Sequence, residues 1–174
     1  MDKNFSGKNN AGFTIIELVV VFSIIAILST ISIASFVTYT NSQTLRNTAL
    51  SLRTVLQEAR SESSSQVIPN NCGVFQGYEV RICHTSGLTC PVCLTSGDYE
   101  LDANCSTSQN GINQATYTFP AGVSLVTSGS PTTTQCSFHF IPITGGVTSG
   151  GAVVVKGTNN VTQTVTVSGA GVIE

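Results

Sequence analysis

The pattern of apolar and polar positions divides the chain into three stretches. From Phe13 it reads FTIIELVVVFSIIAILSTISIASFV, apolar on every side of a helix and carrying one charge, Glu17. Leu18 to Val37 has no charged side chain, and at 1.5 Å rise per residue that stretch spans about 30 Å, the thickness of a bilayer core. Farther on, Leu45, Ala49, Leu52, Leu56 and Ala59 recur at the spacing of an amphipathic helix stripe. No glycine or proline occurs from Phe13 to Val67, and Pro69 supplies a stop. The spacing predicts one helix from Phe13 to about Gln66. Bending or fraying is expected over Ser35 to Thr44, where β-branched, serine and asparagine residues favour helix poorly.

After Pro69 the pattern changes to short alternating runs separated by turn residues. Strands are predicted over Val74 to Cys83, Thr116 to Phe119, Val123 to Val126, Cys136 to Ile141, Ala152 to Lys156 and Val161 to Val167, with a short terminal strand in VSGAGVIE. Gly157 to Asn160 joins the pair 152–156 and 161–167 as a hairpin, while Leu88 to Ser96 and Ala103 to Asn113 read as long connections. The expected fold is α+β: a long N-terminal helix, half membrane and half amphipathic, packed on one face of a C-terminal antiparallel β-sheet. The expected boundaries are a leader at 1–12, a transmembrane half of the helix at 13–37, an amphipathic half at 38–67 and a β-rich domain at 68–174.

Composition narrows the class. Charged residues make up only 9% of the 174 residues, against about 25% in an ordinary soluble domain. Seven basic and nine acidic residues leave a formal net charge of −2, which argues against a general nucleic-acid binder. A single long apolar stretch argues against a multi-span channel. A buried core helix is a poor alternative for that stretch, because a small domain does not easily surround a helix that is apolar all round. A secretory signal would have a shorter apolar run with a cleavage site after it. Here the polar leader MDKNFSGKNNAG comes first, and Lys3 and Lys8 suit a cytoplasmic leader.

Glu17 carries most of the functional inference. An ionisable side chain inside a membrane segment costs about 2.5–3.5 kcal/mol on insertion scales and is a functional hypothesis by default. The nearby sequence offers no cation, but a cut between Gly12 and Phe13 would create one, the new α-amino group of Phe13. Between laterally packed subunits, the amine of one could pair with Glu17 of the next. The plainer alternative is a glutamate reaching the membrane interface from the helix start.

Six cysteines, Cys72, Cys83, Cys90, Cys93, Cys105 and Cys136, all lie beyond the apolar stretch. That distribution fits structural disulfides in an oxidising compartment, with the pairing open. Cys83, His84, Cys90 and Cys93 are the zinc alternative, and Cys90-Pro-Val-Cys93 the redox one. Asp98, Glu100 and Asp102 alternate in SGDYELD; a solvated strand face is expected, with calcium the alternative. His139 reads as an exposed or satisfied strand position. Arg46, Arg53 and Arg60 recur every seven residues on the flank of the helix stripe, where a solvated edge or a contact with acidic groups of neighbouring subunits or lipids is expected. No P-loop, GxSxG, HExxH or dinucleotide motif occurs, so neither a cofactor nor a catalytic set is expected.

The segment GFTIIELVVVFSIIAIL resembles the class III signal of type IV prepilins and pseudopilins. That resemblance implies cleavage by a prepilin peptidase after Gly12, N-methylation of Phe13, and Glu17 as the assembly glutamate. It also implies partnership with other pilin or pseudopilin subunits and with inner-membrane assembly machinery. The implied location is the inner membrane, single-pass with the C-terminal domain exported, and a filament after assembly. Many members carry a helix-kinking proline at the position that is Ala34 here. LRTVLQEARSESSSQ, GYEVRI, FHFIPITGGVTSGGAVVV and TVTVSGAGVI resemble the helix end, following strand, glycine-rich hairpin and final strand of GspH/FimT-type minor pseudopilins. The Cys-rich segment 72–105 looks like an insertion. The ending SGAGVIE lacks the arginines of DNA-binding relatives, and only Arg81 and Lys156 are basic beyond Arg60. The expected role is a non-enzymatic structural subunit of a type II secretion pseudopilus or type IV pilus. The alternative is a binding module at a pilus tip, an adhesin or DNA-uptake receptor; an exported enzyme tethered by the helix lacks a catalytic set.

Overall fold

A computed structural model describes residues 12–83, 96–106, 108–128, 130 and 132–174, with the side chains at 30–34 and 108–110 outside the description. Contacts divide the chain into two units, Met1–Tyr39 and Thr40–Glu174. The boundary falls inside the stretch expected to bend or fray. Helix α1, Ile15–Ser64, nevertheless runs through that stretch, with the hydroxyl of Thr44 donating to the Thr40 carbonyl. A bond of this kind satisfies the hydroxyl within the helix without strengthening the helix.

In the second unit the predicted stripe is the buried face of α1. Leu45, Leu52, Leu56 and Ala59 are buried together with Val55, and Ala49 packs against them. Burial of each leucine contributes about 1.5–3 kcal/mol. The helix ends two residues before the predicted Gln66. Gln66 adopts a left-handed φ of 51°, and the Val67 amide donates to the Glu62 carbonyl at 3.0 Å. This is a Schellman-type stop with a non-glycine residue in the position that favours glycine. Gln66→Gly is therefore expected to raise unfolding free energy by about 0.5–1 kcal/mol. An unchanged or lower urea midpoint would show that the conformation at 66 carries no strain.

Among the described residues seven strands follow: β1 Phe75–Ile82, β2 Tyr99–Cys105, β3 Ser108–Tyr117, β4 Ser124–Leu125, β5 Ser137–Phe140, β6 Gly151–Lys156 and β7 Thr162–Val167. The α+β fold with the helix on an antiparallel sheet is as expected; a second, smaller antiparallel sheet accompanies the first, in the orders β3-β2-β1-β5 and β4-β6-β7. The hairpin β6–β7 and the strands at β1 and β5 stand where alternation placed them. Strands β2 and β3 occupy much of what read as connection, including residues 103–105 and 108–113. The terminal strand reduces to one bridge, Val167 to Ile173.

One face of the larger sheet meets the helix. Tyr78, Val80 and Ile82 of β1 pair with Ala103, Leu101 and Tyr99 of β2, and Phe138 and Phe140 of β5 extend the same layer. All are buried. Val153, Val165 and Val167 bring the smaller sheet into the same core. Ser63, at the end of α1, donates from its hydroxyl to the Phe140 carbonyl at 2.6 Å. Gly171 is held at φ 76°, where a Cβ would meet the Gly145 carbonyl oxygen, so the last turn requires glycine at that close approach. Cys72 and Cys105 form a disulfide with Cα atoms 5.2 Å apart, closing a separation of 33 residues. In the chain-entropy account a loop of that size stabilises by about 3–4 kcal/mol.

Candidate functional site

The first site is the start of α1. Thr14 is the N-cap: its hydroxyl oxygen accepts from the Glu17 amide at 3.3 Å, and its carbonyl accepts from the Leu18 amide at 3.2 Å. Thr14-Ile15-Ile16-Glu17 has the spacing of a capping box, with Glu17 at the third helical position. The helix dipole favours a carboxylate in this first turn by about 0.3–1 kcal/mol. Thr14 was not singled out by sequence reasoning, although the T-x-x-E spacing was there to find it.

Gly12 and Phe13 immediately precede the cap. A Cβ on Gly12 would touch nothing within 4 Å, so glycine at this position answers no steric demand of the folded chain. Phe13 is 79% exposed. A cut between them would set a cationic amine directly before the N-cap, one turn from Glu17 along the sequence.

The helix surface that follows has no cover. Every large apolar side chain from Phe13 to Leu28 is at least 45% exposed. The hydroxyls of Ser23 and Ser29 donate back to the Val19 and Ile25 carbonyls, which satisfies them within the helix, as apolar surroundings require. A continuous apolar surface of this kind marks a surface that lipid or another subunit covers. Among the described residues no helix is long and apolar enough to cross a membrane. The span expected over 18–37 runs through side chains 30–34, which lie outside the described set.

A second cluster lies on the face of the larger sheet away from the helix. Cross-strand pairing sets Arg81 opposite Glu100 and Glu79 opposite Asp102. The Arg81 guanidinium lies 3.2 Å from Glu79, 3.4 Å from Asp102 and 3.8 Å from Glu100. Glu100 and Asp102 are fully buried. The Asn104 amide donates to Glu79 and the Asn113 amide to Asp102, both at 3.1 Å, while Asp102 Oδ2 accepts no hydrogen bond from the described residues. His139, opposite Glu79 on β5, faces the Gln76 carbonyl at 2.9 Å through Nε2. It is thus a satisfied strand position.

This arrangement corrects the reading of Asp98, Glu100 and Asp102 as a solvated face. Asp98 lies before β2 and accepts from the Phe119 amide at 2.6 Å, while Glu100 and Asp102 are buried around an arginine. A guanidinium among the carboxylates also opposes a calcium ion there, and among the described residues no acidic, histidine or cysteine group is arranged to hold a metal.

Three carboxylates and one arginine leave an excess of negative charge in a buried place. Burial, then the neighbouring Glu100 carboxylate, pushes the Asp102 carboxyl up to about 7 against the pull of Arg81. From the ordinary carboxylate range to about pH 7, the folded chain binds a proton that the unfolded chain does not. Stability therefore falls as pH rises through that window, by up to about 1.4 kcal/mol per pH unit, and levels off above it. Glu62, raised by burial and by Glu58, adds in the same direction. The expected result is a melting temperature that drops from about pH 5 to about pH 7.5, with most of the slope lost in Asp102→Asn. An undiminished slope in that variant would place the titrating group elsewhere.

The cysteines divide. Cys72 and Cys105 pair as described; Cys83 and Cys136 are also disulfide-bonded, and no cysteine among the described residues is free. Cys83 is therefore not available as a zinc thiolate. His84, Cys90 and Cys93 lie outside the described residues, as does the leader up to residue 11.

Residues 7–33 match the family of the prokaryotic N-terminal methylation motif. The match spans Gly12, Phe13 and Glu17 and supports a type IV pilin-like prepilin. Such a class III signal implies processing by prepilin peptidase and assembly with other pilins. No curated protein and no solved structure is significantly similar to the chain.

Proposed function

We propose that this chain is a minor pilin or pseudopilin, a non-enzymatic structural subunit of a type II secretion pseudopilus or type IV pilus. The observation that carries the reading is the methylation motif at 7–33, centred on a glycine without a packing role, an exposed Phe13 and a glutamate in the first helical turn. In this account the charge-free stretch 18–37 holds the precursor in the inner membrane as a single span. Prepilin peptidase removes 1–12, and the Phe13 amine of one subunit neutralises Glu17 of its neighbour. The apolar helices bundle while the domain beyond Thr40 faces out. Export supports that orientation, since disulfides such as Cys72–Cys105 persist in oxidising compartments. The GspH/FimT-type assignment rests on the ARSES-type helix end and the glycine-rich turns.

Co-expression with a prepilin peptidase is expected to convert the full chain to a form lacking the leader, and Gly12→Val is expected to block that conversion. Because a Cβ at position 12 meets nothing in the fold, such a block would reflect recognition by the peptidase and not misfolding. Full processing of Gly12→Val would remove Gly12 as the cleavage determinant.

A further inference from the structure

A groove of about 400 Å³ runs between α1 and the outer edge of β7. Arg46, Leu50 and Arg53 line it from the helix, and Gln163, Thr164 and Glu174 from the other side. The three helix residues recur at i, i+4 and i+7, so they share one face. β7 is the edge strand of the smaller sheet and pairs with β6 on one side. On its other side Thr166 exchanges both backbone bonds with Glu174, at 3.0 Å each. Backbone groups alternate in direction along a strand, so Thr162 and Thr164 present their amides and carbonyls to that same side. No described residue pairs with them there. The stretch Thr162-Gln163-Thr164 also carries no lysine, proline or bulge, the devices that protect a sheet edge.

The two ends of the groove differ in charge. Leu45 and Val161 share a small cleft, while the Arg53 Nη2 donates to the Ile173 carbonyl at 2.8 Å, opposite Val167. Arg46 therefore lies at the Thr162 end and Arg53 at the Val167 end. Arg46 is exposed and forms no ion pair with the described residues. Arg53 is already engaged, and the exposed Glu174 lies at its end of the groove. Leu50, 57% exposed, sits between the two arginines. Arg46 and Leu50 are separated by about 6 Å of helix rise, close to the roughly 6.8 Å between alternate side chains of a strand.

We infer that the groove takes an extended segment of another protein as an added strand. Its backbone pairs with Thr162 and Thr164, and alternate side chains set an apolar group on Leu50 and a carboxylate at Arg46. Unpaired amides and carbonyls at a strand's repeat are met by an extended chain, the mode in which backbone bonds hold the ligand and alternate side chains select it. A carboxylate at the other end would meet Glu174, so charge fixes the direction and register of the added strand. The site belongs wholly to the domain beyond Thr40 and does not depend on the reading of the chain as a filament subunit.

The test titrates the full chain, in neutral detergent, into a dye-labelled short peptide of alternating valine and threonine with one valine replaced by glutamate, read by fluorescence anisotropy. Saturable binding is expected, weakened at least about tenfold by Arg46→Glu. The same substitution is expected to strengthen binding of a lysine version of the peptide, which a misfolded variant would not do. N-methylation of the alternate peptide amides on one edge is expected to abolish binding, and on the other edge to leave it intact, because an added strand offers only one edge to β7. No saturable binding up to about millimolar concentration, binding indifferent to Arg46→Glu, or equal effects of the two methylation patterns would overturn the inference. Self-association of the chain that Arg46→Glu abolishes, without peptide binding, would make the occupant a second copy and overturn it too. Processing after Gly12 and recovery in filaments are read separately, so loss of this site leaves the filament reading standing.

Discussion

Arg81→Leu lowers the unfolding free energy of the chain by about 3–5 kcal/mol near neutral pH, a large share of the 5–15 kcal/mol that holds an ordinary domain together. The size follows from what the substitution leaves behind. Arg81 is the one cation within 4 Å of Glu79, Glu100 and Asp102 among the described residues. Glu100 and Asp102 are fully buried, so removing Arg81 leaves buried negative charge without its guanidinium. Leucine fills part of the space but neutralises nothing. The loss is therefore expected to shrink as pH falls and the Asp102 carboxyl takes up its proton, which separates an electrostatic cause from a packing one. Urea unfolding of the detergent-solubilised chain at about pH 7.5 and about pH 5 reads both quantities. A loss below about 1 kcal/mol at the higher pH, or one independent of pH, would mean that the cluster is solvated or otherwise neutralised.

That cluster is also where sequence reasoning fell short. The helix stripe was legible because Leu45, Leu52, Leu56 and Ala59 obey a local period, and the stop before Pro69 needs only its neighbours. β1, β5 and β7 were legible because their apolar residues alternate, and β6 because it is a short valine run beside the Gly157–Asn160 turn. The β2–β3 hairpin was not. Glu100, Asp102, Asn104 and Asn113 look like residues for water, and only the register that sets them beside Glu79 and Arg81 makes Glu100 and Asp102 interior and the two asparagines half-buried. That register joins strands far apart in sequence, as does the pairing of β1 with β5 that precedes the separate second sheet. The partner of Cys72 was hidden for the same reason: bridging Cys105 depends on where β2 ends in space. The match to the methylation motif at 7–33 was legible because Gly12, Phe13 and Glu17 fall in one short contiguous stretch that needs no fold to be read. What the sequence reading left out was the cap at Thr14, which gives Glu17 a local role besides the proposed one in assembly.

These two roles of Glu17 predict different outcomes. As a capping-box residue alone it contributes about 1 kcal/mol or less to the start of an exposed helix. As the partner of a neighbour's amine in apolar surroundings, its loss removes about 2–5 kcal/mol per contact and leaves a stranded cation. Glu17→Leu should insert into membranes at least as well as the original chain, since it removes the charge that opposes insertion. It keeps Gly12 and Phe13 and should be cleaved normally. Assembly alone should fail. The most direct measurement is the share of leader-free chain recovered in sheared filaments, for the original chain and for Glu17→Leu, from membranes holding equal amounts of each. The account predicts recovery of the original chain and a drop of at least about tenfold for Glu17→Leu. Equal recovery of the two would contradict it.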